Sequence, residues 1–211
     1  MNLHFSTLFS LAYFRALSIV KNEQPKLWRY FSKEVSMFSA VSNCYIAAIF
    51  THISFRKERK ESQKKYQAYW KKEGETIQAR LNQLFGMELK KKHIRAYLCV
   101  TPLYIRNIER GFFLLPIQAE KERILNIIIH ELSHYYCYQG YDMYQYEEDD
   151  AWEISEYLVK DLIDIHFQDI CKSEKNSYLG DVPEKYEKEI KRWVNQQCTF
   201  EEMLNNIKSD K

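Results

Sequence analysis

The stretch Ile127-Ile128-Ile129-His130-Glu131-Leu132-Ser133-His134 carries the residue types and the spacing that metal chemistry needs. On a helix, positions four apart share one face about one turn apart. His130 and His134 can therefore both reach a single Zn²⁺ at about 2.0–2.1 Å. Glu131, the residue after the first histidine, is then placed to act as a general base on a water at the metal rather than as a ligand. The flanks are apolar almost all round, with Ile124, Leu125, Ile127, Ile128, Ile129, Leu132, Tyr135 and Tyr136, which predicts a buried helix. Two imidazoles and a carboxylate on such a helix would each cost on the order of several kcal/mol of desolvation with nothing to bind. A metal ion removes that cost.

A catalytic zinc needs a third protein ligand and an open position. Cys137 lies on the same helix and no later Cys has a partner, so a carboxylate of the next helix is the expected source. Glu147, Glu148, Asp149, Asp150, Glu153 and Glu156 compete there. The core-facing side of that helix is expected to pass through Ala151, Ile154 or Ser155, Leu158 and Leu162. Glu148 lies three residues before Ala151 on that face and is favoured, with Glu147 or Glu153 next. An acidic helix start is also what the helix dipole favours without any metal. Tyr141, Tyr144, Tyr157 and His166 are available to stabilise a developing oxyanion, and nothing in the sequence chooses among them. His4, His52, His93 and His166 read as surface or satisfied core residues rather than ligands.

The elements that must position these groups follow from periodicity. From Asn2 to about Phe55, apolar and aromatic residues recur at helical spacing, which predicts a helical hairpin or pair with Pro25 in the first turn of its second helix. Arg56 to about Phe85 reads as one long solvated helix, with Gly74 as a weak point where it could break. Ile94, Ala96, Leu98 and Val100 alternate, and Phe112–Leu115 is bounded by Gly111 and Pro116, so two strands are expected. A helix from Ala119 to Gln139 with Gly140 as its C-cap carries the motif. Another runs from about Glu147 to Phe167, and a final charged helix follows Pro183.

Composition agrees with a helix-dominated fold. The 211 residues are 45% hydrophobic and 15% aromatic, enough for a sizeable core, while only 5 Gly and 4 Pro argue against an all-β sandwich or barrel. Residues 1–110 hold 20 Lys+Arg against 8 Asp+Glu, and residues 111–211 hold 11 against 21, so a net charge of +2 conceals halves of +12 and −10. Attraction between the halves is the favoured reading over a basic face for nucleic acid or anionic lipid, because the basic residues alternate with Glu along helical stretches. Five cysteines without any CxxC spacing fit free thiols in a reducing compartment. There is no basic segment ahead of an apolar run at the N-terminus, and the apolar run Ala40–Phe50 is too short to span a bilayer. The expectation is a cytoplasmic protein without membrane contact.

With His130, Glu131 and His134 followed by the Glu-x-x-Ala helix start from Glu148 to Ala151, the region from about Tyr66 to Phe167 resembles the gluzincin metallopeptidases, in particular their minimal members and the ImmA/IrrE type. The resemblance implies an α+β, mostly helical, zincin-like domain with a small sheet packed on the HExxH helix. It implies Zn²⁺ held by His130, His134 and Glu148, Glu131 as general base, and Phe112–Leu115 as the edge strand along which a peptide lies. Many members of the group carry Asp or Asn directly after that Ala to support a ligand histidine. This chain has Trp152 there, so the supporting residue is sought at Asp149, Asp150 or Glu153.

The organisation expected is an N-terminal helical extension over 1–60, a zincin-like metallopeptidase domain over 61–170 and a C-terminal helical tail over 171–211. The expected activity is zinc-dependent hydrolysis of a peptide or protein substrate, with the N-terminal helices as a surface for a protein partner and no direct nucleic-acid binding. A regulatory protease of mobile-element type that cleaves one partner, and a non-catalytic zinc module, are the alternatives.

Overall fold

The computed structural model describes residues 1–6, 55–99, 106–143, 148–171 and 184–209. The helices expected between Leu8 and Ile49, and with them the surface proposed for a protein partner, lie outside the described residues, as does the apolar run Ala40–Phe50. The described elements are β1 (Asn2–Ser6), α1 (Arg56–Phe85), β2 (His93–Cys99), β3 (Arg106–Asn107), β4 (Phe112–Pro116), α2 (Lys121–Met143), α3 (Glu148–His166), α4 (Glu184–Val194) and α5 (Phe200–Ser209). The protein is thus a mixed α+β structure, mostly helical, with one small sheet. No helix among the described residues is long and apolar enough to cross a membrane.

The chain divides into two compact units. One comprises Leu3–Gln67 and Ile94–Ala119; the other comprises Met1–Asn2, Ala68–His93 and Glu120–Lys211. In the first lies the four-stranded sheet, in the order β1-β2-β4-β3. β2 runs parallel to β4, with Ala96 beside Phe113 and Leu98 beside Leu115, and β3 is antiparallel to β4. Alternation works in β2 as expected: Ile94, Ala96 and Leu98 are buried while His93 and Arg95 are exposed. β4 is buried along its whole length, as an unbroken apolar run in an interior strand should be.

Two expectations for this sheet are corrected. Asn2–Ser6 is a strand and not the start of a helix, because Leu3 and Phe5 are buried at a spacing of two while Asn2 and His4 face out. β4 is not the edge strand, because the two-residue β3 pairs with its Phe112 and Phe113. Tyr66 ties β4 to α1: its hydroxyl donates to the Pro116 carbonyl at 2.9 Å and accepts from the Ala119 amide at 2.9 Å. Ser62 accepts from the amide of Gln118, which sits at φ 57°.

The second unit holds α2 to α5 and the part of α1 from Ala68 onward. α1 continues through Gly74 without a break. A Cβ at that position would lie 2.7 Å from Trp70 Cε2, so the glycine gives the indole its seat on the helix rather than a hinge. α2 likewise runs through Gly140, expected as its C-cap, to Met143. The glycine is there because Phe200 packs on it: a Cβ would be 3.2 Å from Phe200 Cδ1 and inside contact distance of Cε1. Around Phe200 stand Phe85 at 4.8 Å and Trp193 at 5.4 Å between ring centroids, with Tyr136 stacked on Phe85 at 5.1 Å. The polar atoms of this cluster are spoken for. Trp193 Nε1 donates to the Leu84 carbonyl at 3.0 Å and the Tyr136 hydroxyl to Asn82 Oδ1 at 2.6 Å.

The single charged helix expected after Pro183 is two, α4 and α5. The break was legible in Thr199-Phe200-Glu201-Glu202, a capping box: the Glu202 amide donates to Thr199 Oγ1 at 3.1 Å, and the Thr199 amide donates to Glu202 Oε2 at 2.7 Å. The Thr199 amide first, and then the Thr199 hydroxyl, which donates to the same Oε2 at 3.1 Å, hold the Glu202 carboxyl below the usual carboxylate range. Thr199→Ala should lower unfolding stability by about 1 kcal/mol, read as a shift of the urea midpoint at unchanged slope.

Candidate metal centre

His130 and His134 project from one face of α2, their ring centroids 4.7 Å apart and their planes at 69°. The Nε2 atoms face each other at 3.0 Å. The carboxylate of Glu156, on α3, closes the group, with Oε1 3.4 Å from His134 Nε2 and Oε2 3.7 Å from His130 Nε2. One donor atom from each of the three residues can be chosen so that all lie within 4.8 Å of one another. Two donors held at about 2.0–2.1 Å from one tetrahedral ion stand roughly 3.3 Å apart, so the observed separations match those across a zinc site to within a few tenths of an ångström. Two imidazole nitrogens and one carboxylate are also a donor set that Zn²⁺ takes. On separation and on chemistry, the residues fit the ion.

Burial grades the three side chains. His134 is 0% exposed, Glu156 12% and His130 22%, so the group is deep on one side and open to solvent on the other. Glu131, on the same helix, is buried at 1% exposure. Within the motif, Leu132 is a core residue, and Ser133 satisfies its hydroxyl by donating to the Ile129 carbonyl at 2.8 Å. α2 is held to α1 near its start by Lys121, whose ammonium contacts Glu73 Oε1 at 2.7 Å. The same hydrogen bond lowers the Glu73 carboxyl below its ordinary range.

The structure brings together His130 and His134, as expected, and adds Glu156 as the carboxylate at their side. Glu148 opens α3, and its side chain lies outside the described residues, as do Glu147, Asp149 and Asp150. Glu156 is eight residues beyond Glu148 on the same helix, about 12 Å of rise. Sequence spacing included Glu156 among six acidic candidates but gave no ground to prefer it.

Ser155, which spacing placed only among the core-facing positions, stands beside His134. Its Oγ is 3.0 Å from His134 Nδ1. The available oxyanion donors are engaged elsewhere in part: His166 Nε2 lies 2.6 Å from the Val194 carbonyl, and Tyr141 packs against Phe200 at 6.1 Å. Tyr157 packs near Tyr186 at 6.4 Å, and burial first, then Glu153 and Tyr186, pushes its phenol up. Tyr144 lies outside the described residues. Cys137 is buried in the core, and burial pushes the Cys171 thiol up to about 12, so it is held protonated.

Compared with known protein families, with curated proteins and with solved structures, the chain matches none.

Proposed function

We propose that the protein is a zinc-dependent metallopeptidase of HExxH type, built on a zincin-like arrangement of α2 and α3, with His130, His134 and Glu156 as the metal ligands. One observation carries the proposal: the two Nε2 atoms and the Glu156 carboxylate converge at 3.0, 3.4 and 3.7 Å in a site that opens on the His130 side. Three protein ligands and a solvent-facing side leave room for a fourth position, which catalysis needs and a purely structural site closes. Bound there, zinc would polarise a peptide carbonyl and lower the pKa of a water.

The chain's own residues would do the rest. Glu131 would take a proton on its carboxylate as water attacks, then return it to the leaving amine. The buried His134 would hold the deep side of the site, while the more exposed His130 and Glu156 would border the approach of the substrate.

Metal analysis of protein purified without added zinc tests the proposal. About one zinc per chain is expected in the wild type and in Glu148→Ala, and a loss of it in Glu156→Ala. No zinc in the wild type would defeat the proposal. Zinc lost from Glu148→Ala and kept by Glu156→Ala would return the third ligand to the helix start.

A further inference from the structure

We propose that Ser155 is a positioning residue that fixes the tautomer and the orientation of His134. The functional meaning of that role rests on the metal-centre reading above. Ser155 and His134 are both 0% exposed, and Ser155 Oγ stands 3.0 Å from His134 Nδ1. The opposite ring nitrogen, Nε2, faces His130 at 3.0 Å and Glu156 at 3.4 Å.

A neutral imidazole has one N–H donor and one bare nitrogen. With the proton on Nδ1, donated to Ser155 Oγ, the Nε2 lone pair points at the place where the other two donors converge. With the proton on Nε2, the ring would present an N–H to that place and could not ligate. The serine hydroxyl thus selects the ligating form through the far side of the ring, the role that a carbonyl or carboxylate fills at many metal-bound histidines.

The geometry follows from adjacency in the sequence. Consecutive residues of a helix point about 100° apart, so Ser155 and Glu156 meet the His134 ring from two sides, one at each nitrogen. A single turn of α3 therefore supplies both a ligand and the group that orients its neighbour. A hydroxyl also does this without adding a further buried charge to Glu131 and Glu156, which a carboxylate at 155 would.

The test is a two-bond ¹H–¹⁵N correlation spectrum of the metal-free protein, with zinc affinity measured by competition with a chromogenic chelator. Wild type, Ser155→Ala and Ser155→Thr are compared, each checked for folding by its metal-free unfolding curve. Wild-type His134 should be the Nδ1–H tautomer. Ser155→Ala should give a mixture of tautomers and weaken zinc binding by about 10- to 100-fold. Ser155→Thr, which keeps the hydroxyl, should restore the Nδ1–H form and most of the affinity. An Nε2–H tautomer in the wild type, or a Ser155→Ala protein with unchanged tautomer and affinity, would overturn the assignment. The tautomer is read without metal, so a wild type that holds the Nδ1–H form yet takes up no zinc would uphold Ser155 as the orienting residue while defeating the metal reading.

Discussion

Glu131→Gln is expected to keep its zinc and to lose peptide hydrolysis by about 10²- to 10⁴-fold, the contribution of a positioned general base. Glu131 is not among the three residues whose donor atoms converge, so the proposed ligand set survives. Glutamine has nearly the shape of glutamate, so α2 keeps its packing where the side chain is 1% exposed. What disappears is an oxygen basic enough to accept a proton. The reading is the rate of cleavage of an unstructured protein substrate by mass spectrometry, with zinc content taken on the same sample. Hydrolysis at the wild-type rate would remove Glu131 from the mechanism. Loss of zinc together with activity would instead make it part of the metal site.

The parts of the fold that were legible in the sequence share a property: each is set by residues close to one another along the chain. The apolar surround of His130 and His134 predicted a buried helix, and Ile124, Leu125, Ile128 and Leu132 are all fully buried. Alternation at Ile94, Ala96 and Leu98 predicted β2. The parts that were not legible depend on where distant elements cross. α3 presents Ser155 and Glu156 to His134, a crossing point in the middle of the helix rather than at its acidic start. Acidic residues cluster at Glu147–Asp150 whatever the crossing point is, because a helix N-terminus favours them. Local spacing therefore drew attention to Glu148. Gly74 and Gly140 were ambiguous for a similar reason. A glycine in a helical pattern signals an end or a weak point unless a side chain fills the space that a Cβ would take, and Trp70 and Phe200 do so. β1 has only Leu3 and Phe5 as its apolar signal, too short a pattern to set against the helical spacing that follows it.

The close approach at Gly140 leads to a prediction whose sign depends on a second residue. In the interior of a helix, Gly→Ala ordinarily stabilises by about 1 kcal/mol. At 140 the new methyl would press into the edge of the Phe200 ring. That ring is 2% exposed and wedged among Phe85, Trp193 and Tyr141, so it cannot swing away cheaply. Overpacking of this kind costs about 1–3 kcal/mol, which meets or exceeds the propensity gain. Gly140→Ala alone should therefore be neutral to destabilising by about 2 kcal/mol. Phe200→Ala alone should cost about 3–5 kcal/mol, a large part of the stability of a small protein. With the ring gone, the new methyl meets only the flexible end of Met87, its Cε 3.4 Å away, and the same Gly140→Ala change should now stabilise, by up to about 1 kcal/mol. The difference between the two backgrounds is the coupling energy of the pair. Urea unfolding of the four proteins at low temperature measures it, with Phe200→Leu as the milder background if Phe200→Ala does not fold. A Gly140→Ala effect of the same sign and size in both backgrounds would mean that the ring does not dictate the glycine. Reversal of sign would show that α2 runs through residue 140 because α5 docks there, and that the C-terminal helices help to build the element that carries both histidines.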